Sequence, residues 1–169
     1  FTGRNDWASV LPIKNNSIFY PSASLSALVH SMGNFDPSGI SFLKLRGSWA
    51  QTGSAGPLSP YNVSPTYGLS TYPLNGQTPT ALVPNTLWNP DITAQTETAI
   101  EAGIDIRFFN NRLRLDATYY DKKNEDVIMP LSIPGSSGYS NVWKNAATVT
   151  NKGIEVILGA DIISTNNNG

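Results

Sequence analysis

The sequence has 169 residues, no cysteine, and 11 basic against 12 acidic side chains, giving a net charge of -1. That length suits one ordinary domain; the missing thiols exclude disulfides and thiolate metal centres, and the balanced charge offers no basic stripe to a nucleic-acid phosphate backbone. Only 14% of residues are charged, against roughly 25% in average soluble domains, a shortfall that needs a physical reason. Alternation of apolar and polar residues with period two, the mark of a strand with two unlike faces, recurs along the chain, whereas helical periodicity is weak. A less regular strand is expected over Arg4–Leu11, with a short turn near 12–16. In "FYPSASLSALVHS", Ala23, Leu25, Ala27 and Val29 alternate with Ser22, Ser24, Ser26, Leu28 and His30. After a moderate connection over 32–40, "FLKLRGSWAQTG" sets Leu43, Leu45, Gly47 and Trp49 against Lys44, Arg46, Ser48 and Ala50.

Residues 53–94 then hold seven of the twelve prolines, and loops longer than about 12–15 residues are uncommon unless they serve a function or move. The next strand, "TAQTETAIEAGIDIRF", collects Thr96, Thr98, Ile100, Ala102, Ile104 and Ile106 on one face, with Glu97, Ala99, Glu101, Gly103, Asp105 and Arg107 opposite. Asn110-Asn111 tolerate the left-handed backbone of a tight hairpin. Beyond it Leu113, Leu115, Ala117 and Tyr119 alternate with Arg114, Asp116, Thr118 and Tyr120. A second irregular segment, 130–150, leads to "NKGIEVILGADII", where Ile154, Val156, Leu158, Ala160 and Ile162 share a face. The expected fold is all-β: an antiparallel meander of five or six strands, with the two long loops at one end and short turns at the other.

Two settings produce such strands. In a sandwich the apolar face meets a second sheet; in a transmembrane barrel it meets lipid while the charged face lines the interior. A strand of about ten residues tilted near 45° is about 23 Å tall, close to the roughly 25 Å apolar band of an outer-membrane barrel. Glu97, Glu101, Asp105 and Arg107 would then line the lumen, and Arg114 and Asp116 on the hairpin partner would allow cross-strand or diagonal charge pairs. Tyr119 and Tyr120 come where a barrel places an interfacial aromatic girdle. The pattern alone leaves sandwich and barrel both open.

Candidate chemistry is sparse. His30 is the only histidine, no Gly-x-Ser-x-Gly elbow accompanies it, and it reads as a polar strand residue. Glu97, Glu101 and Asp105 are imaginable as a glycosidase pair or a calcium site, but ordinary alternation explains their spacing. "GSAG" at 53–56 leads into prolines rather than a helix and cradles no phosphate. Neither an enzyme nor a cofactor is expected. The loop aromatics Tyr61, Tyr67, Tyr72, Trp88, Tyr139 and Trp143 are candidates to stack on a ligand or to contact a lid protein, since aromatic rings offer large contact area with few torsions; plain loop anchoring is the competing reading for each.

The ordered phrases "NNSIFYPSASLSALV" (15–29), "LKLRGSWAQTG" (43–53), "NPDITAQTETAIEAGIDIRFFNNRLRLDATYYDKKNEDVI" (89–128) and "NKGIEVILGADI" (151–162) resemble the C-terminal part of SusC/RagA-type TonB-dependent transporters, the large outer-membrane barrels of Bacteroidetes. The resemblance implies that residues 1–169 are a fragment of a 22-stranded barrel domain, with 53–94 and 130–150 as extracellular loops and Asn110-Asn111 as a periplasmic turn. It also implies import of large nutrients such as glycans or peptides, energy from TonB, and a SusD-type surface lipoprotein as a cap. On its own, a piece with too few strands to close would expose an apolar face to water, so it is expected to cover that face with a loop or to self-associate. The alternative is a soluble sandwich module that binds carbohydrate or mediates adhesion.

Overall fold

The computed structural model describes residues 1–29, 39–60, 62–64, 66–70, 75 and 81–161. Six long strands follow the chain: β1 (Thr2–Trp7), β2 (Ser17–Leu28), β3 (Ile40–Ser54), β7 (Gln95–Phe108), β8 (Leu113–Ser132) and β9 (Asn141–Ala160). Between β3 and β7 the described residues include three two-residue strands, β4 (Gly68–Leu69), β5 (Ala81–Leu82) and β6 (Thr86–Leu87). The long strands pair antiparallel with their successors in one sheet of order β1-β2-β3-β7-β8-β9-β6. Among the described residues no second large sheet lies against the apolar face of this one, so the arrangement is a meander and not two packed sheets.

Register assigns every side chain to a face. Leu45, Ile104, Ala117 and Val156 lie in one cross-strand row, and Gly47, Ala102, Tyr119 and Ile154 in the next. This is the apolar face. Ser48 and Glu101 pair across β3 and β7 on the other face, as do Arg46 and Gly103; Asp105 and Asp116 pair there across β7 and β8. Alternation therefore separates oil from charge along the middle of the central strands.

The strands alternate in direction, so three connections gather at one end: 8–16, 55–94 and 133–140. At the other end is the turn 109–112, where the Phe109 N–H bonds to the Gly39 carbonyl at 2.9 Å. The short turn near 12–16 thus belongs with the long loops. The hairpin turn uses left-handed backbone at Phe109 as well as at Asn110 and Asn111, with φ of 51°, 54° and 67°. The strand length of about ten residues expected from the sequence is too short: β8 and β9 run 20 residues each. At about 3.3 Å per residue and a tilt near 45° each is about 47 Å tall, well above an apolar band of about 25 Å. Strand therefore replaces much of the irregular chain expected over 130–150, leaving 133–140. A bulge accommodates the extension, with Asp126 at φ 57° and register shifts on both sides of Val127.

The core is small and sits at the loop end. Leu11, Ile18, Leu58, Ile92 and Ile128 form it, with Ile92 fully buried at 0% exposure. The apolar face itself is uncovered: Leu25 is 78% exposed, Ile154 73% and Leu158 72%. Of the two expected covers, a loop or another copy, the described residues supply no loop over this face; the described loops pack on one another at the strand ends.

Candidate functional site

The polar face carries the first candidate constellation. Between β7 and β8 the charged residues directly opposite each other on this face are alike, Asp105 facing Asp116 and Arg107 facing Arg114, an arrangement that is repulsive if left alone, although Lys44 of β3 stands opposite Asp105 on its other side. The simple cross-strand charge pairs expected from the sequence are therefore not formed. Instead Arg46 reaches from β3 across β7 to clasp Asp116 on β8. Its Nη1 donates to Asp116 Oδ2 at 2.9 Å and its Nη2 to Oδ1 at 2.6 Å, with Thr118 Oγ1 accepting at 2.6 Å. The crossing needs a gap in β7, and Gly103 provides it, since a Cβ there would lie 2.5 Å from Arg46 Nε. Arg107 turns to Asp105 at 3.3 Å, and two pairs run diagonally across neighbouring strands, Arg114 with Asp161 at 3.1 Å and Glu101 with Lys122 at 3.6 Å. Glu97 sits opposite Asn124.

Arg46 is the residue that the sequence reading missed. The available signal was a glycine in mid-strand, which often marks a close approach by another group. Because Arg46 and Asp116 are 38% and 33% exposed, solvent weakens the pair, and its coupling is expected to be about 1 kcal/mol rather than the larger figure for a buried clasp. A double-mutant cycle with Arg46→Met and Asp116→Asn measures it; coupling near zero would mean that the clasp is not formed.

At the loop end, the segment 89–94 ties separate parts of the chain together. Lys14 pairs with Asp91, and Asn15 Nδ2 donates to the Ile92 carbonyl at 3.0 Å. Asn145 accepts from the Thr93 N–H at 3.1 Å and donates to the Thr93 carbonyl at 2.9 Å. Asn89 Nδ2 donates to the Trp143 carbonyl at 2.9 Å. Just before this segment, β6 pairs in parallel with β9, Thr86 with Asn141 and Leu87 with Val142. The long loop thus leaves β3, passes β7 and β8, touches down on the far edge of β9 and returns to begin β7.

This path brings two of the six loop aromatics together. Trp88 and Trp143, far apart in sequence, line one cavity of about 240 Å³ with Asn62, Ser64, Thr66 and Asn85. Tyr67 is 61% exposed beside β4. Tyr139 is half-buried at the β8–β9 tip, where its N–H meets Ser137 Oγ at 3.4 Å. Tyr61 and Tyr72, like His30, lie outside the described residues. Among the described residues no group of three His, Cys, Asp or Glu could hold a metal ion.

Comparison with known proteins places this geometry. The family model described as TonB dependent receptor-like, beta-barrel matches residues 1–167. Among curated relatives, TonB-dependent receptor P26 of Formosa agariphila is 29% identical over 98% of this chain, and TonB-dependent receptor P3 of the same organism is 31% identical over 95%. The chain spans 17% and 16% of the length of those two relatives. Among solved structures, the RagAB peptide importer in its closed-closed state superposes with a TM-score of 0.86 at 22% identity, over 97% of this chain and 18% of that one. The siderophore receptor PirA from Pseudomonas aeruginosa gives 0.54 at 16% identity, over 86% of this chain and 26% of that one. These structural likenesses bear on the fold.

Proposed function

This chain belongs to the TonB-dependent receptor-like β-barrel family of the outer membrane, and on that premise we propose that it forms part of the wall and outer mouth of an importer of large nutrients, such as glycans or peptides. The observation that carries the reading is the division of one sheet into an uncovered apolar face and a charged face. From Ile100 to Phe108 the apolar face of β7 runs nine residues, about 21 Å tall at a tilt near 45°, close to the height of a lipid band. Trp7, Phe19, Trp49 and Tyr119 share that face, and they step along it from strand to strand as an interfacial girdle would. Beyond Tyr119 the same face turns ionic, with Lys152–Asp121 at 2.7 Å and Lys123–Glu125 at 2.6 Å. Lipid therefore ends there and water begins.

In this reading Glu97, Glu101, Asp105, Arg107, Arg114 and Asp116 face the lumen, and 8–16, 55–94 and 133–140 are extracellular. TonB supplies the energy, and a SusD-type lipoprotein meets the loop end; the pairing of two components in the name RagAB is in keeping with this. The relatives bear receptor names rather than enzyme names, and the chain is assigned no catalysis of its own. The test is uptake: a strain lacking the intact receptor should fail to grow on one glycan or peptide source and regain growth on complementation, with the protein in the outer-membrane fraction. A receptor found in the soluble fraction would contradict the reading.

A further inference from the structure

We propose that the cavity shared by Trp88 and Trp143 binds the ring of a neutral sugar; this rests on the importer reading and specifies which chemistry the outer mouth accepts. Trp88 and Trp143 supply flat π faces, and Asn62, Ser64, Thr66 and Asn85 supply amides and hydroxyls that both donate and accept. A sugar ring has the matching character, with C–H faces that rest on aromatic rings and hydroxyl edges that need partners of both kinds. Among the described residues no charged side chain lines the cavity. A peptide terminus, an acidic or basic side chain, or a uronate would lose its hydration there without gaining a counter-charge. At about 240 Å³ the cavity is smaller than the roughly 300–1,000 Å³ of sites for drug-sized ligands, so it takes one ring rather than a length of chain.

The walls are held in place without a ligand. The Asn85 carbonyl accepts from the N–H groups of Ser140 at 2.8 Å and Asn141 at 3.2 Å. Asn89 holds the Trp143 carbonyl, Trp143 packs on the apolar core, and Asn62 Oδ1 accepts the Ser59 N–H at 2.5 Å, which orients its amide. Preorganised walls lower the ordering cost of binding. The RagAB importer carries peptides in its name, so the sugar assignment separates this mouth from that neighbour rather than following it.

The experiment is calorimetric titration of the intact receptor in detergent with neutral gluco-, galacto- and manno-oligosaccharides, with oligouronates, and with short peptides. Binding of a neutral oligosaccharide is expected, weakened about tenfold or more by Trp88→Ala and by Asn85→Asp, with partial recovery in Trp88→Phe. Asn85→Asp keeps the size of the side chain and adds only charge, so it reads the cavity even if Trp88→Ala disturbs folding. Neutral-sugar binding indifferent to both substitutions would overturn the proposal, as would binding of only uronates or peptides. If the receptor supports uptake of a peptide and binds none of the sugars, the sugar assignment fails and the importer reading survives; loss of all receptor-dependent uptake is what defeats the importer reading.

Discussion

Replacing Ile104 by arginine is expected to destabilise the folded barrel by about 2–4 kcal/mol, the cost of a cation near the middle of the lipid-facing band. Ile104 lies midway along the apolar run of β7, between Leu45 and Ala117 in the same row. An arginine there has no short route to either interface, and its neighbours on that face offer no carboxylate. Ser48→Arg is the control. Ser48 pairs with Glu101 on the charged face, where a new cation meets water and an anion, so a change within about 1 kcal/mol is expected. Urea-dependent folding of the intact receptor into phosphatidylcholine vesicles measures both. Equal costs at the two positions would mean that the faces do not meet different solvents.

Ile92→Ala is the second large effect, with about 2–5 kcal/mol lost locally. Among the described residues Ile92 is the one fully buried large side chain, packed among Leu11, Ile18, Leu58 and Ile128. Its carbonyl is held by Asn15, and its neighbours Asp91 and Thr93 are held by Lys14 and Asn145. Truncation therefore leaves a cavity at the point where the long loop is pinned to both β2 and β9. Hydrogen exchange over 86–95 should speed up strongly while exchange over 100–106 stays unchanged. Slow exchange in both would show that the loop is held by something other than this core. Local loosening without global loss is the expected pattern because the loop core and the strand ladder are separate cooperative units.

The strands could be read from the sequence because alternation is strict wherever the two faces meet different solvents, as from Ile100 to Phe108 and from Leu113 to Tyr119. Reading failed where that contrast ends. From Tyr120 to Asn124 both faces are mostly polar, so β8 and β9 continue as strand with no alternation to announce them, and the bulge at Asp126 then breaks the period. The face of each charge was legible, but its partner was not. Alternation places Arg46 opposite Asp105 and Asp116 in sign, yet only the register shows that Asp105 and Asp116 face each other and that Gly103 lets Arg46 cross. The aromatic candidates were chosen by residue type. What joins Trp88 to Trp143 is the parallel touch-down of β6 on β9, a long-range pairing of two residues that leaves no periodic trace.

The central claim, that the two faces of this sheet meet lipid and water, is tested most directly by single-cysteine accessibility along β7, since the chain has no cysteine of its own. Cysteines at 99, 101 and 105 in the intact, cysteine-free receptor should react with a membrane-impermeant maleimide once the barrel is opened to the reagent. Cysteines at 102, 104 and 106 should stay shielded until detergent replaces the bilayer. Free labelling of the even-numbered set in intact membranes would contradict the account.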